Sequence, residues 1–223
     1  MFDQNTDTRS QARIFEAGMV DYEKTRKLQL QLVEQRLDGK VDDTFIFCEH
    51  PPSITVGRSG GEANIIASDE KLAASGVKKY EVERGGDVTF HGPGQQIIYP
   101  IVNLEERGRD LHRFMRDLEL IVIKFLENYD IAGQSVPGKT GVWVGEKKIC
   151  AIGIAVKRWI SYHGLALNLD TDLSFFHLIN PCGFESGTVT SLATITGAKV
   201  DKAKVFFELT SAIEEVFNYR LLM

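Results

Sequence analysis

Cys182 sits in Ile179-Asn180-Pro181-Cys182-Gly183-Phe184, with proline before it and glycine after it. That context reads as a loop, which presents a sulfur and sets backbone amides where an acyl oxyanion would form. Cys48 and Cys150 instead lie in apolar strand patterns and read as small buried hydrophobes. A thiol of ordinary pKa is mostly protonated at neutral pH, so a nucleophilic cysteine needs a nearby cation or base. Lys148 is one candidate. By strand alternation it shares a face with Cys150, Ile152, Ile154 and Val156. A lysine on an apolar face is expensive without a partner, although one at a strand end can also reach out to water. Beside a thiol it acts either as an ammonium that stabilises thiolate or as an amine that takes the proton. His91 and His163 are rival activators.

The second unusual segment is Arg84-Gly85-Gly86-Asp87-Val88-Thr89-Phe90-His91-Gly92-Pro93-Gly94-Gln95. Adjacent glycines suit either a tight hairpin turn or close approach of a ligand to the main chain. Arg84 either fixes this loop or faces an anion. The segment is neither GxxxxGK[ST] nor GxGxxG and leads into a strand, which disfavours a phosphate cradle. Small residues at Ala151, Gly153, Gly164 and Ala166 either leave room for an apolar chain or let neighbouring elements pack closely.

The elements that must position these groups follow from periodicity. A helix is expected from Glu16 to Leu37, with Met19, Tyr22, Leu28, Leu32 and Val33 inward. Strands are expected at Thr44 to Cys48, Ile54 to Val56, Tyr80 to Glu83 and Gln95 to Asn103, the last at an edge or a bulge because of Pro100. Residues 110 to 129 repeat apolar side chains at helical spacing. Gly141 to Val144 and Lys147 to Val156 form a hairpin across Gly145-Glu146, and Ser161 to Leu169 continues as strand. A final helix runs from Asp201 to Tyr219. Sheet and helices segregate, which predicts one α+β domain over residues 11 to 223 with a mixed, mainly antiparallel sheet. Residues 1 to 10 are polar and read as a loose N-terminal segment.

Composition narrows the function classes. With 26 Lys plus Arg against 31 Asp plus Glu the formal charge is -5, so a generic nucleic-acid binder is disfavoured. No apolar run reaches the roughly 20 residues that span a bilayer. The N-terminal residues have neither a basic stretch nor an apolar core, so a reduced, cytoplasmic setting is expected. Three cysteines without CxxC spacing disfavour a disulfide framework or a tetrahedral zinc cage as the organising principle.

Five blocks in order resemble the lipoyl(octanoyl) transferase family: Arg84-Gly85-Gly86 with Thr89-Phe90-His91, Gly94-Gln95 and Tyr99; Pro137-Gly138 with Thr140-Gly141-Val142-Trp143; Lys148-Ile149 with Gly153; His163-Gly164 with Ala166-Leu167-Asn168; and Asn180-Pro181-Cys182-Gly183. The likeness spans about Thr44 to Leu192. It implies the fold of the biotin/lipoate protein ligase catalytic domain. It also implies transfer of an octanoyl group from acyl carrier protein, through Cys182, to a lysine of a lipoyl domain. The implied catalytic pair is Cys182 and Lys148. The implied acyl site is Arg84, Gly85, Gly86, Asp87, Val88, Thr89, Phe90 and His91, with Ala151, Ile152 and Gly153, and with Gly164, Leu165 and Ala166.

The same resemblance implies octanoyl-acyl carrier protein as donor. As acceptors it implies the lipoyl domains of 2-oxoacid dehydrogenase E2 subunits and the glycine cleavage H protein. Neither metal nor nucleotide is chemically required, no nucleic acid or membrane partner is expected, and a monomer is the default. An acidic carrier requires a local basic patch, for which Arg107, Arg109, Arg113, Arg116 and Lys157-Arg158 are candidates. The alternatives are an ATP-dependent lipoate or biotin protein ligase, a non-catalytic binding module, and a metal site built from Cys48, His50, His91 and His163.

Overall fold

The computed structural model describes residues 9–180 and 188–222. Eight strands make one mixed sheet in the order β11-β1-β2-β6-β10-β9-β8-β7. They are β1 (Ser10–Met19), β2 (Asp43–Glu49), β6 (Gln95–Ile101), β7 (Gly133–Val136), β8 (Lys139–Val144), β9 (Lys147–Lys157), β10 (Ile160–Asn168) and β11 (Tyr219–Leu222). A second sheet, in the order β4-β3-β5, contains β3 (Ser53–Val56), β4 (Lys78–Glu81) and β5 (Val88–His91). β1 pairs in parallel with β2 and β11, β3 with β4, and every other named pairing is antiparallel. The expected mixed, mainly antiparallel α+β architecture is therefore the one observed.

Helix α1 (Tyr22–Leu37) packs Val33 over Ile46, Ile97, Tyr99 and Ala166 on one face of the large sheet. Helices α3 (Leu111–Glu127) and α5 (Lys202–Phe217) cover the other face, over Phe45, Phe47, Ile98 and Leu165. The apolar stripe of α3 behaves as its spacing predicts: Phe114, Leu118, Ile121, Val122 and Phe125 are all buried. Each such side chain contributes roughly 1.5–3 kcal/mol by leaving water. The small sheet packs with α2 (Asp69–Ala74) and a 3-10 turn at Leu173–Leu178, through Ile54, Leu72, Phe90 and Phe176. A short α4 (Leu192–Thr196) completes the set.

Two expectations are corrected. The first helix begins at Tyr22 rather than Glu16, because Asp21 caps it by accepting the Glu23 N–H, and Glu16 to Met19 belong to β1. Gly18, at φ +62°, lies where the β1–β2 register shifts, and Met19 is 54% exposed rather than in the core. Secondly, β6 is a central strand despite Pro100. The β10–β6 ladder stops at the Leu165–Ile98 pair. Beyond it the Ser161 hydroxyl substitutes for ladder bonds, donating to Pro100 O at 2.7 Å and accepting from Val102 N at 3.0 Å.

Candidate active site

A cavity of about 500 Å³ opens among the glycine-rich segment, β6, β9 and β10. Its lining includes Arg84, Gly85, Gly86, Asp87, Val88, Thr89, His91, Lys148, Ala151, Ile152, Gly153, Gly164, Leu165 and Ala166. These are residues that the sequence nominates from three separate segments. Phe90 is not among them: it is buried in the small core, stacked on Phe175 with ring centroids 4.8 Å apart. β5 alternation turns it away from the cavity that Thr89 and His91 line. Cys182 lies outside the described residues. The chain on either side of it is described, and Val189 lines the cavity and bridges in parallel to Lys148.

Lys148 reaches the cavity by a route that simple alternation misses. Val142 pairs with Cys150, but the next residue, Trp143, pairs with Lys148, so Ile149 is an extra residue in β9. This β-bulge shifts the alternation by one. Ile149 and Cys150 are consecutive yet both are fully buried in the main core. Lys148 is thereby half-buried beside Ala151 and Gly153 on the cavity wall, with Nζ 4.9 Å from the Trp143 ring centroid. Gly141 sits across from the bulge at φ +116°, where any Cβ would stand 2.4 Å from Cys150 O.

Arg84 fixes its own loop rather than facing an anion. Its guanidinium donates to Thr55 O at 2.8 Å, to Thr55 Oγ1 at 2.9 and 3.2 Å, to Asp87 O at 2.7 Å and to Gly85 O at 3.0 Å. Gly85 N donates to Ile154 O at 2.8 Å, which lays the loop on β9. Gly153 makes that contact possible, since a Cβ there would meet Gly85 O at 2.8 Å. A Cβ on Gly164 would meet Ile98 O at 2.1 Å. Both glycines therefore serve close backbone packing as well as lining the cavity.

The histidines are held in place by neighbours. His91 Nδ1 lies 2.9 Å from Gln95 Oε1 and its Nε2 lies 3.3 Å from Thr55 Oγ1. Burial pulls its pKa down to about 3. His163, at φ +56°, has Nδ1 3.4 Å from the Tyr22 hydroxyl, and burial takes its pKa down to about 4. Both rings are neutral at physiological pH, so the cationic side chains of the lining are Arg84, Lys139 and Lys148, the last with the Trp143 ring beneath it. His50 Nδ1 is 2.7 Å from Val20 O and Nε2 is 2.7 Å from the Tyr99 hydroxyl, so the nominated metal set is engaged in protein hydrogen bonds. Among the described residues no group of three or more His, Cys, Asp or Glu is arranged to hold a metal ion.

A relay of hydrogen bonds, absent from the sequence expectations, joins the glycine-rich segment to the lysine strand. Gln95 Nε2 donates to Asn168 Oδ1 at 2.9 Å, Asn168 Nδ2 to Thr190 O at 3.0 Å, and Thr190 N to Lys148 O at 3.0 Å. Gln95 and Asn168 are the signal that was available, as polar residues within apolar strands. The basic candidates are dispersed. Arg107 stacks on Phe217, Arg109 pairs with Glu105, Arg116 with Glu119, and Lys157 with Glu34. Lys157 lies at the far end of β9, about 30 Å of strand from Lys148.

Comparison with known proteins gives the family. The family of the lipoyl protein ligase A/B catalytic domain matches residues 21–214. The octanoyltransferase of Alkaliphilus metalliredigens is 43% identical over 206 residues, covering 92% of this chain and 94% of its own. That of Caldicellulosiruptor saccharolyticus is 46% identical over 202 residues, covering 90% and 86%. The chain belongs to the octanoyltransferase family. It is an acyltransferase. The fold of this octanoyltransferase is similar to that of solved protein ligases. A bi-partite lipoate protein ligase from Thermoplasma acidophilum superposes with a TM-score of 0.69 at 14% identity, over 96% of this chain and 86% of its own. The biotin protein ligase of Aquifex aeolicus, in complex with biotin and ATP, gives 0.53 at 17% identity, over 94% and 70%. These last two likenesses concern the fold alone.

Proposed function

We propose that this octanoyltransferase takes its octanoyl group from octanoyl-acyl carrier protein, holds it as a thioester on Cys182, and delivers it to a lysine of a lipoyl domain. The acceptors are the lipoyl domains of 2-oxoacid dehydrogenase E2 subunits and the glycine cleavage H protein, and the enzyme works as a cytoplasmic monomer. Among the described residues no helix is long and apolar enough to cross a membrane. The observation that carries the reading is the Ile149 bulge, which turns a lysine onto the wall of a largely apolar cavity beside the chain that follows Cys182.

In the first half-reaction the Cys182 thiolate adds to the thioester carbonyl. The tetrahedral intermediate collapses, the carrier's thiolate leaves, and Lys148 returns the proton to it. In the second half, the acceptor amine attacks the octanoyl-Cys182 carbonyl and gives up its proton to Lys148, now a neutral amine, which restores the ammonium. The amide forms and the Cys182 thiolate is regenerated. Thioester exchange is nearly isoenergetic and amide formation is downhill, so the sequence of steps runs without nucleotide. The acyl tail lies against Ala151, Ala166 and Ile97, with the Arg84–Asp87 loop, which packs on β9 at Gly153 and Ile154, as the adjoining wall.

The test is intact-protein mass after incubation with octanoyl-acyl carrier protein in the absence of ATP, followed by peptide mapping. One octanoyl group on Cys182, lost when a lipoyl domain is added, is the expected result. Octanoylation of the domain that proceeds only with ATP and free octanoate would replace this reading with a ligase.

A further inference from the structure

Glu119 is a carboxylate with no exposed surface, on the core-facing side of α3 between Leu118 and the buried Ile121. A buried carboxylate is costly unless its oxygens are well bonded. Here Oε1 accepts the Gly141 N–H at 3.0 Å, and Oε2 accepts the Ser135 hydroxyl at 2.5 Å and pairs with Arg116. Ser135 is in β7 and Gly141 in β8, so one side chain ties both strands of this hairpin to the helix.

Gly141 is the residue across from the bulge. It lies over Cys150 O, and its side-chain position is 3.6 Å from Lys148 Cδ. Its strand, β8, also supplies Trp143, whose ring lies under Lys148 Nζ. The Gly141 N–H has turned towards α3, where Glu119 receives it. We propose that Glu119 is a positioning residue for Lys148: it anchors the β8 backbone that keeps the bulge in register and the lysine stem on the cavity wall. The role rests on the reading of Lys148 given above. Arg116, nominated by sequence as part of a docking patch, belongs instead to this anchor as the countercharge of Glu119.

Two near-isosteric variants separate the anchor from a merely structural ion pair. Glu119→Gln keeps an oxygen within reach of Gly141 N but removes the charge. Glu119→Asp keeps the charge but withdraws the acceptor by about 1.5 Å, one carbon–carbon bond. Steady-state octanoyl transfer is measured for both, with Lys148→Met alongside and thermal unfolding as a control for folding. The expected result is a kcat lowered tenfold or more in Glu119→Asp at little-changed KM, with Glu119→Gln within about threefold of wild type. The reverse order, or losses that merely follow the folded fraction, would overturn the positioning role. A wild-type rate in Lys148→Met would withdraw the reading underneath it. A rate that depends on Lys148 but not on the reach of residue 119 would overturn the anchor alone.

Discussion

Ile149 and Cys150 are adjacent in sequence and both point into the same core. This breach of alternation turns Lys148 to the cavity, so the lysine's place depends on a two-against-one pairing with Val142 and Trp143. Removal of the ammonium while the stem is retained tests its role directly. Lys148→Met is expected to fold normally and to lose 10²–10⁴-fold in kcat, the range for a positioned proton-transfer group. Transfer kinetics beside a thermal melt provide the check.

Arg84 makes five donor contacts to Thr55, Gly85 and Asp87 within its own neighbourhood. Lysine cannot reproduce that fork. Arg84→Lys should therefore destabilise the protein by about 2–4 kcal/mol, the range for breaking a buried hydrogen-bond network, and raise KM for the acyl donor. Urea unfolding measures the first effect and initial rates the second.

His91 and His163 titrate in the folded protein near pH 3 and pH 4, both depressed by burial. The unfolded chain binds these protons at the ordinary histidine value, around pH 6.5. Between those limits the unfolded state carries more protons, so stability falls as pH is lowered from about 6.5 towards 4. His91→Gln should remove part of that slope. Its rate profile between pH 5 and 8 should keep the wild-type shape, because neither ring changes charge there. Denaturation midpoints and rates across that window decide the matter.

The carrier's docking face should lie at the cavity mouth rather than at the far end of β9. Lys139 and Lys148 both line the cavity, whereas Lys157 ends β9 about 30 Å of strand from Lys148 and Arg158 follows it. Lys139→Glu is expected to raise KM for an acidic carrier several-fold, more so at low salt. The double reversal Lys157→Glu, Arg158→Glu should leave KM unchanged. Equal effects from both would contradict this placement.

Gly164 allows β10 to approach Ile98 O and Pro100. Gly164→Ala forces a backbone shift there and should cost about 1–3 kcal/mol, as overpacked positions do. The acyl-enzyme yield should fall with the folded fraction, as measured by mass at matched temperatures.

Most of the architecture was legible from periodicity, because α3 and the β8–β9 hairpin carry their patterns locally. Less legible were features set by partners distant in sequence. The alternation in β9 reads as unbroken until β8 is placed beside it, so Lys148 was assigned the face of Cys150. Glu119 looks like an ordinary helix residue until Ser135 and Gly141 arrive. Met19 reads as helical because nothing in its neighbours announces that Asp21 caps the helix two residues later. For the cavity, small residues marked the wall, but the sequence alone left close packing and acyl room as alternatives. In the structure both Gly153 and Gly164 lie at close backbone approaches and on the cavity wall.

The hydrogen bonds of Arg84 within its own loop also carry a calorimetric consequence. A wall that is bonded before the acyl chain arrives has little ordering left to do. Binding of octanoyl chains should then carry a negative heat-capacity change that scales with chain length, without the large opposing entropy of a folding loop. In such a mould each added methylene contributes a nearly constant increment until the cavity is filled, where the increments stop.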